Sequence, residues 1–163
     1  MQWLVSYFFL SSFYPTVIIS GEFEGRILTN PLGECTTLTS ADLKWTKISQ
    51  AAYVTPSTNT WVTDTLIKNS FVSTAVIPKN LKAGNYVVRH EIIALHGGNN
   101  DNGAQDYPQC LNFKIGGSGT VAPPAGVAGS SLYTRTDAGI KFNIYVGATS
   151  YPYPGPAVWT GAN

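Results

Sequence analysis

Two histidines make up the whole imidazole supply of this 163-residue chain, and both fall in one apolar run, at His90 and His96. A Gly/Asn/Asp-rich loop over residues 97–104 follows, and then Gln105, Tyr107 and Cys110. Imidazole and phenol can ligate a metal or move a proton, whereas a carboxamide can only hydrogen-bond or bind weakly. No other stretch of the sequence gathers such groups. On a strand, His90, Ile92, Ala94 and His96 share one face, and Gln105 and Tyr107 share another where the backbone is extended. His96 directly precedes Gly97-Gly98, so its ring sits at the strand end, where loops gather. A loop folding back over 97–104 would bring imidazole, amide and phenol to one rim, suited to a metal site or to its hydrogen-bonding surround. The structural alternative stands beside this. A histidine on an apolar strand is more often a hydrogen-bonded core residue, and His90, between Arg89 and Glu91, fits that description. Spacing alone favours the same for His96, an ordinary loop role for Gln105, and a packed aromatic for Tyr107 before Pro108. Two histidines cannot by themselves complete a three-nitrogen copper or zinc site.

The elements that would position these groups read as short strands. Residues 43–49 (LKWTKIS) alternate apolar and polar as a half-buried strand does. The pattern predicts one or two helical turns over 61–69 (WVTDTLIKN), too short to be stable alone. It predicts strands over 71–77 (FVSTAVI), 86–96, 111–115 and 140–145, and turns at 81–85. Proline keeps 123–126 and 151–156 as extended loops, since it removes ladder donors. Residues 22–33 show turn residues and an isolated Arg26 with no firm pattern. Several short strands, Gly/Pro/Asn punctuation and no long amphipathic helix predict an all-β antiparallel sandwich.

The chain is long enough for one domain with a core. Only 12% of residues are charged, against about 25% in an average soluble domain, as in a turn-rich secreted protein solubilised by neutral polar groups. Net charge is +1, which gives no footprint for nucleic acid. Residues 1–21 are uncharged and rich in aromatics. They lack a basic start and a small-residue cleavage site, and Pro15 interrupts them, so an imperfect secretory signal or a misassigned start ranks above a membrane anchor. The domain is expected over 22–163. Two cysteines, Cys35 and Cys110, allow at most one internal bridge.

Six linked blocks carry a family resemblance: GNYVVRHEIIALH, GAQDYPQC, LNFKIGGSG, PPAGVAGSSLY, TDAGIKFNIY and SYPYPGPAVW. From Cys35 onward the chain resembles the lytic polysaccharide monooxygenases of auxiliary activity family 9, the fungal copper enzymes formerly called glycoside hydrolase family 61. The resemblance implies an immunoglobulin/fibronectin III-like β-sandwich with long loops, secretion, copper, an external electron donor, and oxidative cleavage of β-1,4-glucan, chiefly cellulose. It implies a monomer with no nucleic-acid or membrane partner. Carried over, His96 resembles the family's outer histidine beside the copper, Gln105 its hydrogen-bonding partner, and Tyr107 the tyrosine at the distant axial copper position. Tyr151 resembles an aromatic of the flat substrate face, with Tyr153 close by.

The sequence departs from the family pattern at the metal. The family holds copper in a brace made by an N-terminal histidine and a second histidine further along, and no histidine precedes His90 here. The expectation is an N-terminally incomplete domain that lacks strands and the brace, is inactive as given, and is poorly stable because edges and apolar faces are uncovered. Cys35 and Cys110 both resemble family cysteines whose partners are absent, Pro31 standing at one of those positions. The competing reading is a non-catalytic β-sandwich that binds polysaccharide through Tyr151 and Tyr153.

Overall fold

The computed structural model describes residues 22–29, 39, 41, 43–55, 60–74 and 76–161, with 22–29 traced as backbone. The leader over 1–21 and Cys35 lie outside these residues. In chain order come β1 (Glu22–Thr29), β2 (Lys44–Ala51), β3 (Tyr53–Thr55), β4 (Thr60–Trp61), α1 (Val62–Lys68), β5 (Gly84–Ala94), β6 (Gln105–Ile115) and β7 (Val127–Ala128). One sheet has the order β6-β5-β1-β2-β7, and β3 and β4 form a separate two-stranded ladder. Every strand pair is antiparallel, as the all-β prediction requires.

β5 is the spine. It pairs with β1 on one side and with β6 on the other, and the β5–β6 register runs unbroken from Gly84 opposite Ile115 to Ala94 opposite Gln105. Its sequence suits a strand covered on both faces. Val87, Ile93 and Leu95 belong to clusters with Trp45, Trp61, Leu132, Ile144 and Tyr151, while Tyr86 and Val88 pack with Leu81, Phe113 and Ile115. Residues 129–151 therefore act as a second layer over the face that carries Val87, Ile93 and Leu95, with side chains and almost no ladder, while Trp159 packs with Tyr86 and Val88 on the other face. Trp61 anchors that layer, 1% exposed, with ring centroids 3.8 Å from Tyr53, 5.8 Å from Tyr151 and 6.4 Å from Phe142. The backbone N–H of Trp61 donates to Asp64 Oδ2 at 2.8 Å, satisfying a donor at the start of α1.

Three expectations about elements change. β1 emerges from a stretch with no readable alternation, because a central strand gains its conformation from partners on both sides. The described residues of 71–77 form no strand. The helix end is closed by Ser70 N–H to Ile67 O and Phe71 N–H to Leu66 O, with φ of 56° at Ser70 and 62° at Phe71. The chain then leaves with Phe71 and Val76 exposed. Residues 140–145 form no strand either. Ile140 and Lys141 donate backbone N–H to Asp137 O, and Tyr145 N–H bonds Asn143 Oδ1. The alternation of Ile140, Phe142 and Ile144 reflects packing of an irregular segment into the core.

Ile93, 1% exposed on β5, should cost about 2–5 kcal/mol when cut to alanine. Val146→Ala, at a residue 70% exposed, should stay within about 0.5 kcal/mol of the parent. Urea unfolding of the two variants reads the contrast.

Candidate functional site

β5 and β6 meet in a ten-residue connection, 95–104, that doubles back on itself. Gly98 N–H bonds Leu95 O, Asn100 N–H bonds Gly97 O, and Gly103 N–H bonds Asn100 O. Gly97 and Gly103 must both be glycine for this, since a Cβ at Gly97 would lie 2.6 Å from the Gly103 carbonyl oxygen. The closure returns the chain as β6 with Gln105 opposite Ala94 and Tyr107 opposite Ile92. Directly opposed residues share a face, so Gln105 and Tyr107 stand on the side of His90, Ile92 and Ala94.

The shared side expected for Gln105 and Tyr107 is present, and the Tyr107 hydroxyl donates to Gln105 Oε1, the atom pair being one the sequence did not single out. Both residues are exposed, on an edge strand whose first half lies open to solvent. His96 begins the turn two residues beyond Ala94, half-buried, and its Nδ1 is buried with no hydrogen-bond partner. Its carbonyl oxygen accepts from the Tyr145 hydroxyl at 3.1 Å. His90 is buried within the sheet, as the structural reading has it. Cys110 is exposed on β6 and free.

Tyr151 does not lie on an outer face. It is 7% exposed, its hydroxyl donates to Gly139 O at 2.5 Å, and its ring meets Phe142 edge-on at 5.1 Å. Burial raises the pKa of its phenol, so it stays protonated. The physical reason is the proline-rich tail, which turns Tyr151 inward and leaves Tyr153 as the more exposed ring, at 41%.

Behind the rim lies a polar cluster that the residue types alone did not single out. Glu91 is fully buried on β5, takes Arg89 Nε and Nη2 at 2.7 Å on Oε2, and accepts the Tyr133 hydroxyl on Oε1. Arg89 Nη2 also reaches Asp106 Oδ2 at 2.7 Å, and its guanidinium carbon stands 5.9 Å from the centre of the Trp45 ring. Burial and the Glu91 charge raise the Asp106 pKa to about 6, against the pull of Arg89. Burial, then Glu91, raises that of Tyr133. Lys47 is 1% exposed and donates to Pro154 O at 2.6 Å and Gln50 Oε1 at 3.0 Å. Its pKa falls to about 8 through burial, which Glu91 opposes. The one available signal was the Arg-His-Glu run inside an apolar strand, where ionised groups must find partners.

The model of auxiliary activity family 9 (formerly GH61) matches residues 27–153. Lytic polysaccharide monooxygenase A of Podospora anserina is 56% identical over 135 residues, covering 83% of this chain and 38% of that protein. Lytic polysaccharide monooxygenase F of Emericella nidulans is 52% identical over 129 residues, covering 79% and 51%. Among solved structures, the glycoside hydrolase family 61 member Cel61B of Hypocrea jecorina has a TM-score of 0.80 at 44% identity, over 85% of this chain and 60% of that one. The extended catalytic domain of LPMO9A from H. jecorina gives 0.82 at 41%, over 91% and 59%. The fold is thus a β-sandwich, and the chain spans about half the length of the curated relatives it matches.

The Lys47 ammonium binds its proton less tightly when folded than when unfolded. Between about pH 8 and the usual lysine value the unfolded chain therefore holds more protons, and this residue's contribution to stability rises with pH. Unfolding of the parent and Lys47→Met at pH 7.5 and 10 should show the parent gaining relative to the variant at the higher pH.

Proposed function

The chain belongs to auxiliary activity family 9, and on that premise we propose that it serves the copper-dependent oxidative cleavage of a β-1,4-glucan, cellulose above all. The observation that supports this most is the Tyr107–Gln105 hydrogen bond on the open face of β6, one closed loop away from His96. On this reading His96 is the proton-handling group of the rim. Gln105, with its carbonyl oxygen occupied by Tyr107, offers its amide N–H groups as donors. Tyr107 is the phenol that would stand beside a bound copper. Such groups favour a reaction by holding charge and delivering a proton at a fixed place.

Copper would supply the redox chemistry, and the described residues do not fit the grip on it. Among them, no group of three or more His, Cys, Asp or Glu side chains could hold a metal ion. The rim offers one imidazole and one phenol, short of three nitrogens. We read the 163 residues as the outer half of the site, without the brace and inactive alone. The same reading places the protein outside the cell, as a monomer fed by an external electron donor. A second reading, polysaccharide binding without catalysis, is favoured by the exposed rings of Tyr107, Tyr145 and Tyr153. The exposed tyrosine there is Tyr153, so the substrate-face role proposed for Tyr151 would have to act through the ring it supports, 5.5 Å from its own.

Isothermal titration of the 163-residue chain with Cu(II) should show no tight site, and incubation with cellulose and a reductant should release no oxidised sugars. A chimera carrying the N-terminal half of the P. anserina relative ahead of Ile27 should release them, and His96→Ala in it should lower the rate by about 10²–10⁴-fold. One tight copper site in the chain alone, or an inert folded chimera, contradicts the proposal.

A further inference from the structure

We propose that Asp106 is a positioning residue whose ion pair with Arg89 fixes the start of β6 so that Gln105 and Tyr107 keep their mutual hydrogen bond on the opposite face. Its functional weight rests on the reading of Gln105 and Tyr107 as site residues.

Strand alternation places Asp106 between those two residues and on the other side, opposite Ile93 and on the face that carries Arg89. β6 is the sheet edge, and Gln105 is its first residue. The first residues of an edge strand fray unless something beyond the ladder holds them. Asp106 supplies that hold through a 2.7 Å charge-assisted bond to Arg89, a type roughly twice as strong as a neutral one. Burial, then the Glu91 charge, raises the Asp106 pKa to about 6, while Arg89 and the Tyr107 backbone favour its carboxylate.

Arg89 is a fixed partner and not a loose surface cation. Its side chain is 16% exposed, and Glu91 takes both Nε and Nη2. Glu91 is fully buried and tied to Tyr133. The chain Tyr133–Glu91–Arg89–Asp106 thus refers the position of the β6 start to the packed C-terminal layer. Lys47 adds a further positive charge facing Glu91. By contrast, Arg135 and Asp101 stand 3.8 Å apart with side chains 70% and 59% exposed, an arrangement that holds little.

The test is solution NMR on the complete 163-residue chain, with no copper and no glucan, for the parent, Asp106→Ala, Asp106→Glu and the control Asp101→Ala. The readouts are Overhauser contacts between the Tyr107 ring and the Gln105 side-chain amide, and thermal unfolding of each variant. In Asp106→Ala the population of the closed Gln105–Tyr107 pair should fall about tenfold, the factor that a lost charge-assisted hydrogen bond carries. Contacts between β1 and β2 should persist, Asp106→Glu should restore the pair, and Asp101→Ala should leave it intact. An unchanged pair in Asp106→Ala overturns the proposal. Loss of contacts throughout the sheet, or failure of Asp106→Glu to restore the pair, also overturns it, since either marks a general structural role. The experiment involves no metal or substrate, so its failure leaves the proposed chemistry standing, and an inert chimera would leave the positioning role standing.

Discussion

Glu91 is a carboxylate with no access to solvent, placed within the apolar strand β5. A buried charge is tolerable only when its oxygens are paired, and that requirement arranges much of the molecule. One oxygen takes Arg89 from the same strand, and the other takes Tyr133 from the C-terminal layer. Arg89 then needs a second carboxylate and finds Asp106 on the neighbouring strand. Lys47, two strands away in the sheet order, contributes a further positive charge and grips the Pro154 carbonyl. Apolar contact holds the two layers together, and the polar cluster sets their alignment. Removing one partner would strand a charge, so the cluster specifies position more surely than it adds stability.

Alignment matters because the candidate site sits at the far end of the same two strands. Gln105 and Tyr107 face outward while Asp106 between them faces the cluster. The glycine-closed loop sets how far His96 stands from them. The rim is therefore a consequence of register. A slip of one residue would exchange Asp106 for its neighbours and dissolve the amide–phenol pair.

The parts of this arrangement readable in the sequence are those whose causes are local. Alternation marked β2, the apolar run marked β5, two-residue spacing put Gln105 and Tyr107 together, and the proline-rich tail excluded strands. β1 was unreadable because its conformation comes from partners on either side. The alternation at 140–145 misled because burial of every second residue needs no hydrogen-bonded neighbour. Tyr151 was misplaced for a related reason, since which tyrosine of the tail faces outward is decided by Trp61 and Phe142 across the core. Asp106 was invisible as a partner of Arg89, since seventeen residues separate them and only the register joins them. Family membership rests on six linked blocks, yet these contain no three-nitrogen metal site, so the chain's own residues define an outer rim.

The account depends most on the β5–β6 register, and NMR distance contacts across that ladder in the 163-residue chain test it directly. Cross-strand contacts pairing Ile92 with Tyr107 and Ala94 with Gln105 are the predicted result. Contacts pairing Ile93 with Tyr107 would put Asp106 on the rim and contradict it.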